Sequence, residues 1–492
     1  MLGGSVCAPT DISGITVTGV THASGDVCPG DLYAGLPGSR HHGATFAPAA
    51  AAAGARAVLT DAAGAPLAEA AGLPAIVVAD PRGVLGRVAD RIYGEPTRRL
   101  QVIGITGTAG KTSTAYLIAS GLTAAGHTPG VIGTVETRMG DLVVEGVRTT
   151  PESTDLHALF AVALERGVDT VVMEVSSHAL ALGRVEGVRF AVGGFTNLGV
   201  DHLDFHADLE DYFAAKAKLF DGRCAVEIVN IGDAAGQRLV KGGTLTYAGP
   251  GGPRADWYAT EVTATGYAQR FQVNGPRGIA VSAGVGLPGR HNVANAILAV
   301  AALSTVGVDV ALAGAAVAAS PGAPGRMERV PADRGILGIV DYAHKPDAVV
   351  EVLGALRRLV TDAGGGEHGK IICVIGAGGD RDRSKRPIMG GAAACGADLV
   401  IVTDDNPRTE EPAVIRSEVL AGARDADGCE VIEVPGRRRA IAEAVARAKP
   451  HDVIALLGKG HEQGQEISGK IYPFDDRVEL FAALRADRGG CA

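Results

Sequence analysis

The chain has 492 residues, enough for roughly three ordinary domains. Hydrophobic residues make up 46% and charged ones 21%, a globular balance, and 70 glycines beside 4% aromatics point to tight turns and closely packed α/β layers. The formal net charge of −9 excludes the broad basic surface of a general nucleic-acid binder, while local clusters of Lys and Arg for small anionic substrates remain compatible with it.

The cysteines stand at 7, 28, 224, 373, 395, 429 and 491, with no CxxC pair and no disulfide framework, which fits a reducing cytoplasm. The opening "MLGGSVCAPTDISG" lacks the basic and apolar regions of a signal peptide. The longest alanine-rich stretch, 293–320, is interrupted by Asn295 and Asp309, so no membrane span is expected.

In chain order, residues 1–98 alternate short apolar runs ("GITVTGV", "ARAVLT", "AIVVAD") with alanine-rich helical segments, a small α/β unit. A second unit, 99–322, starts at "RRLQVIGITGTAGKTST" and continues through strands at "DTVVMEVS", "FAVGGFTNL" and "CAVEIVN", spaced for parallel pairing. The Pro- and Gly-rich "SPGAPGRMERV" (320–330) reads as a linker. A third unit, 323–492, follows, with strands at "ILGIVDYA", "KIICVIGAG", "ADLVIVTD", "CEVIEV" and "DVIALLGKG".

"GITGTAGKTS" (104–113) is a strand, a Gly-rich turn and a helix start, the arrangement in which backbone N–H groups surround phosphate oxygens. Lys111 would neutralise phosphate charge and the Thr112 hydroxyl would meet Mg²⁺. The strict pattern has Gly where this chain has Ile105, so the loop is a variant; a plain glycine turn would leave the Lys-Thr pair unexplained. Glu174 ends the apolar strand of "VVMEVSSHAL", either as a carboxylate for that cation or as the lead-in to a helix capped by Ser176 or Ser177. Asp201, His202 and Asp204 form a metal or phosphate cluster, or a solvated loop. Lys216 and Lys218 in "YFAAKAKLF" read most simply as surface lysines. "TDDNPRTEEP" (403–412) follows a buried strand. It is either a turn in which Thr409, Glu411 and Pro412 open a helix, or a binding loop at a strand's carboxyl end.

These segments, with "TNLGVDHLDFH", "LPGRHNVANAILA", "GRMERV", "DYAHKPDAV", "GAGGDRDRSKRPIMG" and "GKGHE" in this order, resemble the Mur ligase family, the ATP-dependent amino-acid ligases of peptidoglycan assembly. The resemblance spans nearly the whole chain. It implies three α/β domains: an N-terminal UDP-binding unit (1–98), a central P-loop ATPase-like parallel sheet (99–322) and a C-terminal Rossmann-like domain that binds the amino acid (323–492). It implies ATP as co-substrate and Mg²⁺ as cofactor. The implied protein is a cytoplasmic monomer acting on small molecules, with a part in cell shape and division and no nucleic-acid partner.

By position, the resemblance assigns the ATP phosphates to Gly107, Thr108, Ala109, Gly110, Lys111, Thr112 and Ser113, with Ala109 where Asn is commoner. Asn292, Arg326 and Asp341 would meet the rest of the nucleotide. Thr112, Glu174, His202 and a carbamylated Lys216 would hold metal, and Lys111, Glu174, His202 and Lys216 form the catalytic set. Thr149, Thr150, Ser176 and Arg184 would grip a UDP-muramoyl dipeptide, with Ser24, Ser39, Arg40 and His41 at its uridine end. The family's usual Asp-Ser-Arg is here Ala23-Ser24-Gly25, and Leu182 replaces a Gln found in some members.

Arg381, Asp405, Asn406, Pro407, Arg408, Gly458 and Glu462 would bind the incoming amino acid, meso-diaminopimelate. Its distal carboxylate distinguishes it from lysine, and an Arg fork reads a carboxylate with fixed geometry. Asp405 and Glu462 could accept from the distal ammonium. His344 and Asp341 are candidates for taking the proton of the attacking amine. The runner-up is folylpolyglutamate synthase, which shares the ATP chemistry; Thr149, Thr150 and Arg408 favour the muramoyl substrate. A non-catalytic scaffold would have no need of Lys111, Glu174, His202 and Lys216 together.

Overall fold

The computed structural model of the protein describes residues 14–144, 148–331, 335–362 and 369–486. Most of the N-terminal segment discussed above lies outside them, as do Cys7 and Cys491. By its internal contacts the chain divides into two compact units, one of residues 1–260, 272–283 and 294–317, the other of 261–271, 284–293 and 318–492.

The first unit begins with a four-stranded parallel sheet in chain order, Gly19–Thr21, Asp31–Ala34, Ala57–Thr60 and Ala75–Val77. Asp31–Ala34 was not legible as a strand, because "DLYA" is short and opens on an acid. Its Asp31 is nonetheless buried, and its carboxylate accepts the Cys28 N–H at 2.8 Å. The same unit carries a larger sheet whose central strands run Cys224–Asn230, Phe190–Phe195, Gln101–Thr106, Thr170–Glu174 and Pro129–Ile132, all parallel. Antiparallel Thr137–Met139 and Leu142–Val144 extend one side. The inner strands Gln101–Thr106, Thr170–Glu174 and Phe190–Phe195 are mostly apolar and buried, as a parallel sheet covered on both faces requires. Phe160, Phe195, Phe220 and Met173 fill one core layer with no or almost no exposure.

Within this unit the helix Pro81–Ile92, which follows the small sheet, packs on the helix Ser153–Glu165 of the larger one. The buried His157 ring lies 2.9 Å from the Glu186 carbonyl and 3.4 Å from the Asp90 carboxylate.

The second unit holds a six-stranded sheet in the order Glu328–Val330, Leu337–Asp341, Val453–Leu457, Ile371–Ile375, Leu399–Val402 and Glu430–Glu433. The first pair is antiparallel and the rest parallel. The five strands expected here all form. The stretch read as linker is shorter than its Pro and Gly content suggested, because Glu328–Val330 pairs with Leu337–Asp341 as an edge strand. Among the described residues no helix is long and apolar enough to cross a membrane, and the five described cysteines are all free.

One fully buried ion pair crosses this unit. Arg437, at the start of the helix Arg437–Arg447, donates from Nε and Nη2 to the two Asp476 oxygens at 2.7 and 2.6 Å, and from Nη2 to the Leu457 carbonyl at 3.0 Å. Both side chains have 0% exposure. Arg437→Met leaves a buried carboxylate unpaired and is expected to cost about 3–5 kcal/mol. The measurement is amide hydrogen exchange in Val453–Leu457. Protection should fall in Arg437→Met and return in large part when Asp476→Leu is added.

Candidate functional site

In the first unit the phosphate loop leaves the carboxyl end of Gln101–Thr106, between strands that end at Phe195 and Glu174. Gly107 has φ +143°, and a Cβ there would stand 1.9 Å from Thr196 Oγ1, so only glycine fits. Asn197 pins the loop from one side. Its carbonyl accepts the Thr108 N–H and its Oδ1 accepts the Ala109 N–H, both at 2.9 Å. Lys111 Nζ donates to the Gly107 and Thr108 carbonyls at 2.9 Å each. Thr112 and Ser113 open the helix Lys111–Ala124, with Thr112 buried. On the other side Thr112 Oγ1 donates to Glu174 Oε1 at 2.9 Å, and Thr134 donates to the same carboxylate from N (2.8 Å) and Oγ1 (3.2 Å). Glu174 thus stands at the strand end beside the loop, and Ser176 is a cap, its Oγ accepting from the Ala179 N–H.

Lys216 is 1% exposed, against the surface role its helical setting suggested; Lys218, two residues on, is exposed. Lys216 Nζ sits 4.3 Å from the centre of the Tyr212 ring and donates to the Gly107 carbonyl at 2.8 Å. Two lysine ammonium groups therefore meet one carbonyl oxygen. His202, at φ +54°, lies on the loop that carries Asn197; its ring packs edge-on to His178 at 4.7 Å and its Nε2 is 3.2 Å from Asp201 Oδ2. Among the described residues no group of three or more His, Cys, Asp or Glu is gathered to hold a metal. The oxygen donors present, Thr112 Oγ1 and the Glu174 carboxylate, are the hard ligands that suit Mg²⁺.

Thr149, Thr150, Ser176 and Arg184 come together beside Glu174. Thr149 Oγ1 is 3.0 Å from Thr134 Oγ1. Thr150 Oγ1 donates to the Glu174 carbonyl at 2.9 Å and lies 3.3 Å from Ser176 Oγ. Arg184 reaches the Thr150 carbonyl at 3.4 Å and pairs with Glu152 at 2.7 Å. Burial, partly offset by Glu152, lowers the proton affinity of the Arg184 guanidinium. At the N-terminal sheet Ser24 is half-buried in a short 3₁₀ turn, whereas Ser39, Arg40 and His41 are exposed. The anchored histidine of that run is His42, its Nε2 3.0 Å from Asp61 and its Nδ1 accepting the Ala44 N–H.

In the second unit, Asn292 is buried and donates to the Pro288 carbonyl at 2.8 Å. The Arg326 guanidinium lies 4.6 Å over the Tyr342 ring. Asp341 accepts the Met327 and Ala343 N–H groups at 2.7 and 2.8 Å. Burial raises its pKa, with Arg326 opposing that shift. His344 is held by a 2.7 Å contact between Nδ1 and the Tyr342 carbonyl, which leaves Nε2 as the basic nitrogen. Burial pushes its pKa down to about 4, so it is neutral at pH 7.

Loops from three neighbouring strand ends, after Ile371–Ile375, Leu399–Val402 and Val453–Leu457, carry the residues assigned to the amino acid. Arg408, at φ +53°, donates from Nη1 to the Gly379 carbonyl at 2.7 Å and has Nε 3.2 Å from Glu466. Asn406 Nδ2 donates to Glu462 at 2.8 Å. Asp405 is buried, one oxygen accepting the Asn406 N–H, the other 4.0 Å from Arg437 Nη1. Gly458 donates its N–H to the Asp341 carbonyl, and Pro407 packs its carbonyl against Gly379. Arg381 stands apart, exposed and bonded only weakly to the Asp380 carbonyl at 3.3 Å.

The sequence reading missed Lys459, which is fully buried and bridges Asn406 Oδ1 and Glu462 Oε2 at 3.0 Å each. It took the glycine and glutamate of "GKGHE" and passed over the lysine between them. It also missed Asn197, Thr134, Glu152 and Asn295, whose Oδ1 would lie 2.5 Å from a Cβ on Gly110. All four act through partners distant in sequence.

Three family models match the chain in turn: "Mur ligase family, catalytic domain" over residues 16–93, "Mur ligase middle domain" over 105–303 and "Mur ligase, glutamate ligase domain" over 325–460. The UDP-N-acetylmuramoyl-L-alanyl-D-glutamate–2,6-diaminopimelate ligase of Streptomyces avermitilis is 50% identical, over 99% of this chain and 96% of its own length. The chain belongs to the Mur ligase family. A solved structure of a ligase of the same name, 33% identical, gives a TM-score of 0.69 over 95% of this chain and 94% of that one. The three-domain Mur ligase architecture is therefore the fold of this chain. A folylpolyglutamate synthase of Mycobacterium tuberculosis shares the fold, with a TM-score of 0.60, 18% identity and coverage of 76% of this chain and 91% of that one.

The half-buried, neutral His344 is expected to make the second unit sensitive to acid. Its folded pKa, about 4, lies below its unfolded value of about 6.5, so the unfolded chain takes up a proton first and stability falls as pH drops from 6.5 toward 4. Between pH 7 and pH 5 the loss from this group should be about 1–2 kcal/mol. A His344→Gln variant should lose that much less than the parent over the same range in urea titrations.

Proposed function

We propose that this Mur ligase joins meso-diaminopimelate to the D-glutamyl γ-carboxylate of UDP-N-acetylmuramoyl-L-alanyl-D-glutamate, with ATP cleavage, in peptidoglycan synthesis. The observation that carries the reading is the Arg408 guanidinium, fixed between the Gly379 carbonyl and Glu466, on the same loop as Asn406 and its partners Glu462 and Lys459. Arg408 and Lys459 stand against Glu462 and Glu466. Such a balanced set suits the zwitterionic distal head of diaminopimelate; the lone ammonium of lysine offers the arginine no carboxylate. The identity with named diaminopimelate ligases supports the same substrate.

The reaction has two steps. The γ-carboxylate attacks the γ-phosphorus of ATP, forming an acyl phosphate and releasing ADP. The amine at the L-centre of diaminopimelate then attacks the carbonyl, phosphate leaves, and an amide remains. Two anions must meet in the first step, so the phosphate-loop N–H groups and Lys111 stabilise the charge on the transferred phosphoryl. Thr112, Glu174 and His202 would hold Mg²⁺, and a carbamylated Lys216 would help hold a second ion; bound metal would supply further charge neutralisation at the phosphates. The convergence of Lys111 and Lys216 on the Gly107 carbonyl supports the carbamate. Addition of the neutral Lys216 amine to CO₂, with loss of one proton, turns a like-charge pair into an attractive one. Thr149, Thr150, Ser176 and Arg184 grip the dipeptide, and Ser24 with residues 39–41 the uridine end. Domain limits at 98 and 322, a monomeric state and a cytoplasmic location complete the proposal.

Phosphate release in the presence of UDP-muramoyl dipeptide and ATP, measured across an amino-acid panel, is the direct test. Diaminopimelate should outpace lysine and glutamate by about two orders of magnitude or more; comparable rates refute the assignment. Arg408→Ala should raise the KM for diaminopimelate about 30-fold with the KM for ATP unchanged, and equal shifts in both remove its role. Lys216→Ala should lower kcat by about 10²-fold or more with ATP still bound; full turnover would dispose of the carbamate.

A further inference from the structure

Arg386, on the helix Lys385–Gly396, is a buried cation outside the residues assigned above, with 0% side-chain exposure. Its Nη2 donates to the Gly378 carbonyl at 3.1 Å and to Glu410 Oε1 at 2.7 Å, and its Nη1 donates to Glu410 Oε2 at 3.0 Å and to Glu418 Oε2 at 2.7 Å. Glu418, on the helix Pro412–Arg424, is also paired with Arg383. A guanidinium that grips one carboxylate bidentately and a second through the same fork has little freedom left.

What Arg386 grips is the pair of loops that carry Arg381 and Arg408. Glu410 also accepts the Asp380 N–H at 2.6 Å, and Asp380 in turn accepts from Thr409 Oγ1 at 2.8 Å. Gly379 donates to the Asn406 carbonyl at 2.8 Å and its own carbonyl accepts from Arg408. The approach is so close that a Cβ on Gly379 would stand 1.9 Å from the Pro407 carbonyl. Asp380 and Arg408 both hold left-handed backbone, φ +53°, a conformation that non-glycine residues keep only when their surroundings impose it. The bonds of Glu410, Thr409 and Arg386 are those surroundings.

We propose that Arg386, acting through Glu410 and Glu418, is a positioning residue for amino-acid selection: it locks the 378–381 and 405–410 loops together and so sets where the Arg408 guanidinium points. The inference rests on the reading of Arg408 as the group that recognises the distal carboxylate of diaminopimelate. Glu410 and Arg386 do not touch that substrate; their loss acts by letting Arg408 wander.

The test uses the purified full chain with all three substrates. Glu410→Gln keeps the side-chain volume and removes the charge; Arg386→Lys keeps the charge and removes the fork. Each should raise the KM for diaminopimelate about tenfold, leave the KM values for ATP and the UDP-muramoyl dipeptide within about twofold, and narrow the preference for diaminopimelate over lysine. In the Arg408→Ala background, Glu410→Gln should add almost nothing, since both act on one contact. Should Arg386→Lys fail to fold, Glu410→Gln and its double variant carry the decision. A normal KM for diaminopimelate in Glu410→Gln beside a raised one in Arg408→Ala overturns the proposal alone. Uniform loss of activity across all three substrates, or additive effects in the double variant, also overturns it. An unchanged KM in Arg408→Ala removes the underlying reading and the proposal with it.

Discussion

The Gly107 carbonyl oxygen accepts from both Lys111 and Lys216, and much of the first unit's chemistry is organised around that point. The oxygen can face both lysines because Gly107 turns at a φ that leaves no room for a side chain, with Thr196 pressed against it. Asn197 and Glu174, from the strands on either side, then hold the loop from opposite flanks. The result is a loop whose N–H groups are held by fixed protein contacts, the preorganisation that phosphate binding there would need.

The second unit solves a different problem by similar means. Its parallel strands end in loops that meet at one edge, where open α/β sheets bind ligands. The groups there are charged, and several are buried: Arg386, Arg437 and Lys459 are each wholly enclosed. A buried cation is tolerable only when its partners are in place, so these three impose geometry on the loops around them. On the proposed reading of Arg408, specificity in this unit would be as much a property of the supporting ion pairs as of the arginine that would face the substrate.

Much of this was legible beforehand, for physical reasons. Runs such as "VIGIT", "TVVME", "IICVI" and "VIALL" announce strands covered on both faces, and the phosphate loop is a local device whose parts are adjacent in sequence. Ser176 was readable as a cap for the same reason. The misses share the opposite character. Lys216 looked like a surface lysine because nothing in its helix shows that Tyr212 and the Gly107 carbonyl would enclose it. Of the three residues read as opening a helix, Glu411 does stand at the cap position and Pro412 at the start of Pro412–Arg424, whereas the Thr409 hydroxyl binds Asp380, 29 residues earlier. Lys459 lies in a motif that was noticed, but its bond to Asn406 spans 53 residues and no local pattern encodes it.

The contact between Gly379 and the Pro407 carbonyl leaves no slack between two segments some thirty positions apart. Retargeting the enzyme to a different amino acid by exchanging the "DNPR" segment alone would set a foreign backbone against an unchanged neighbour. With so close an approach between them, a working transplant would have to move the two stretches as one.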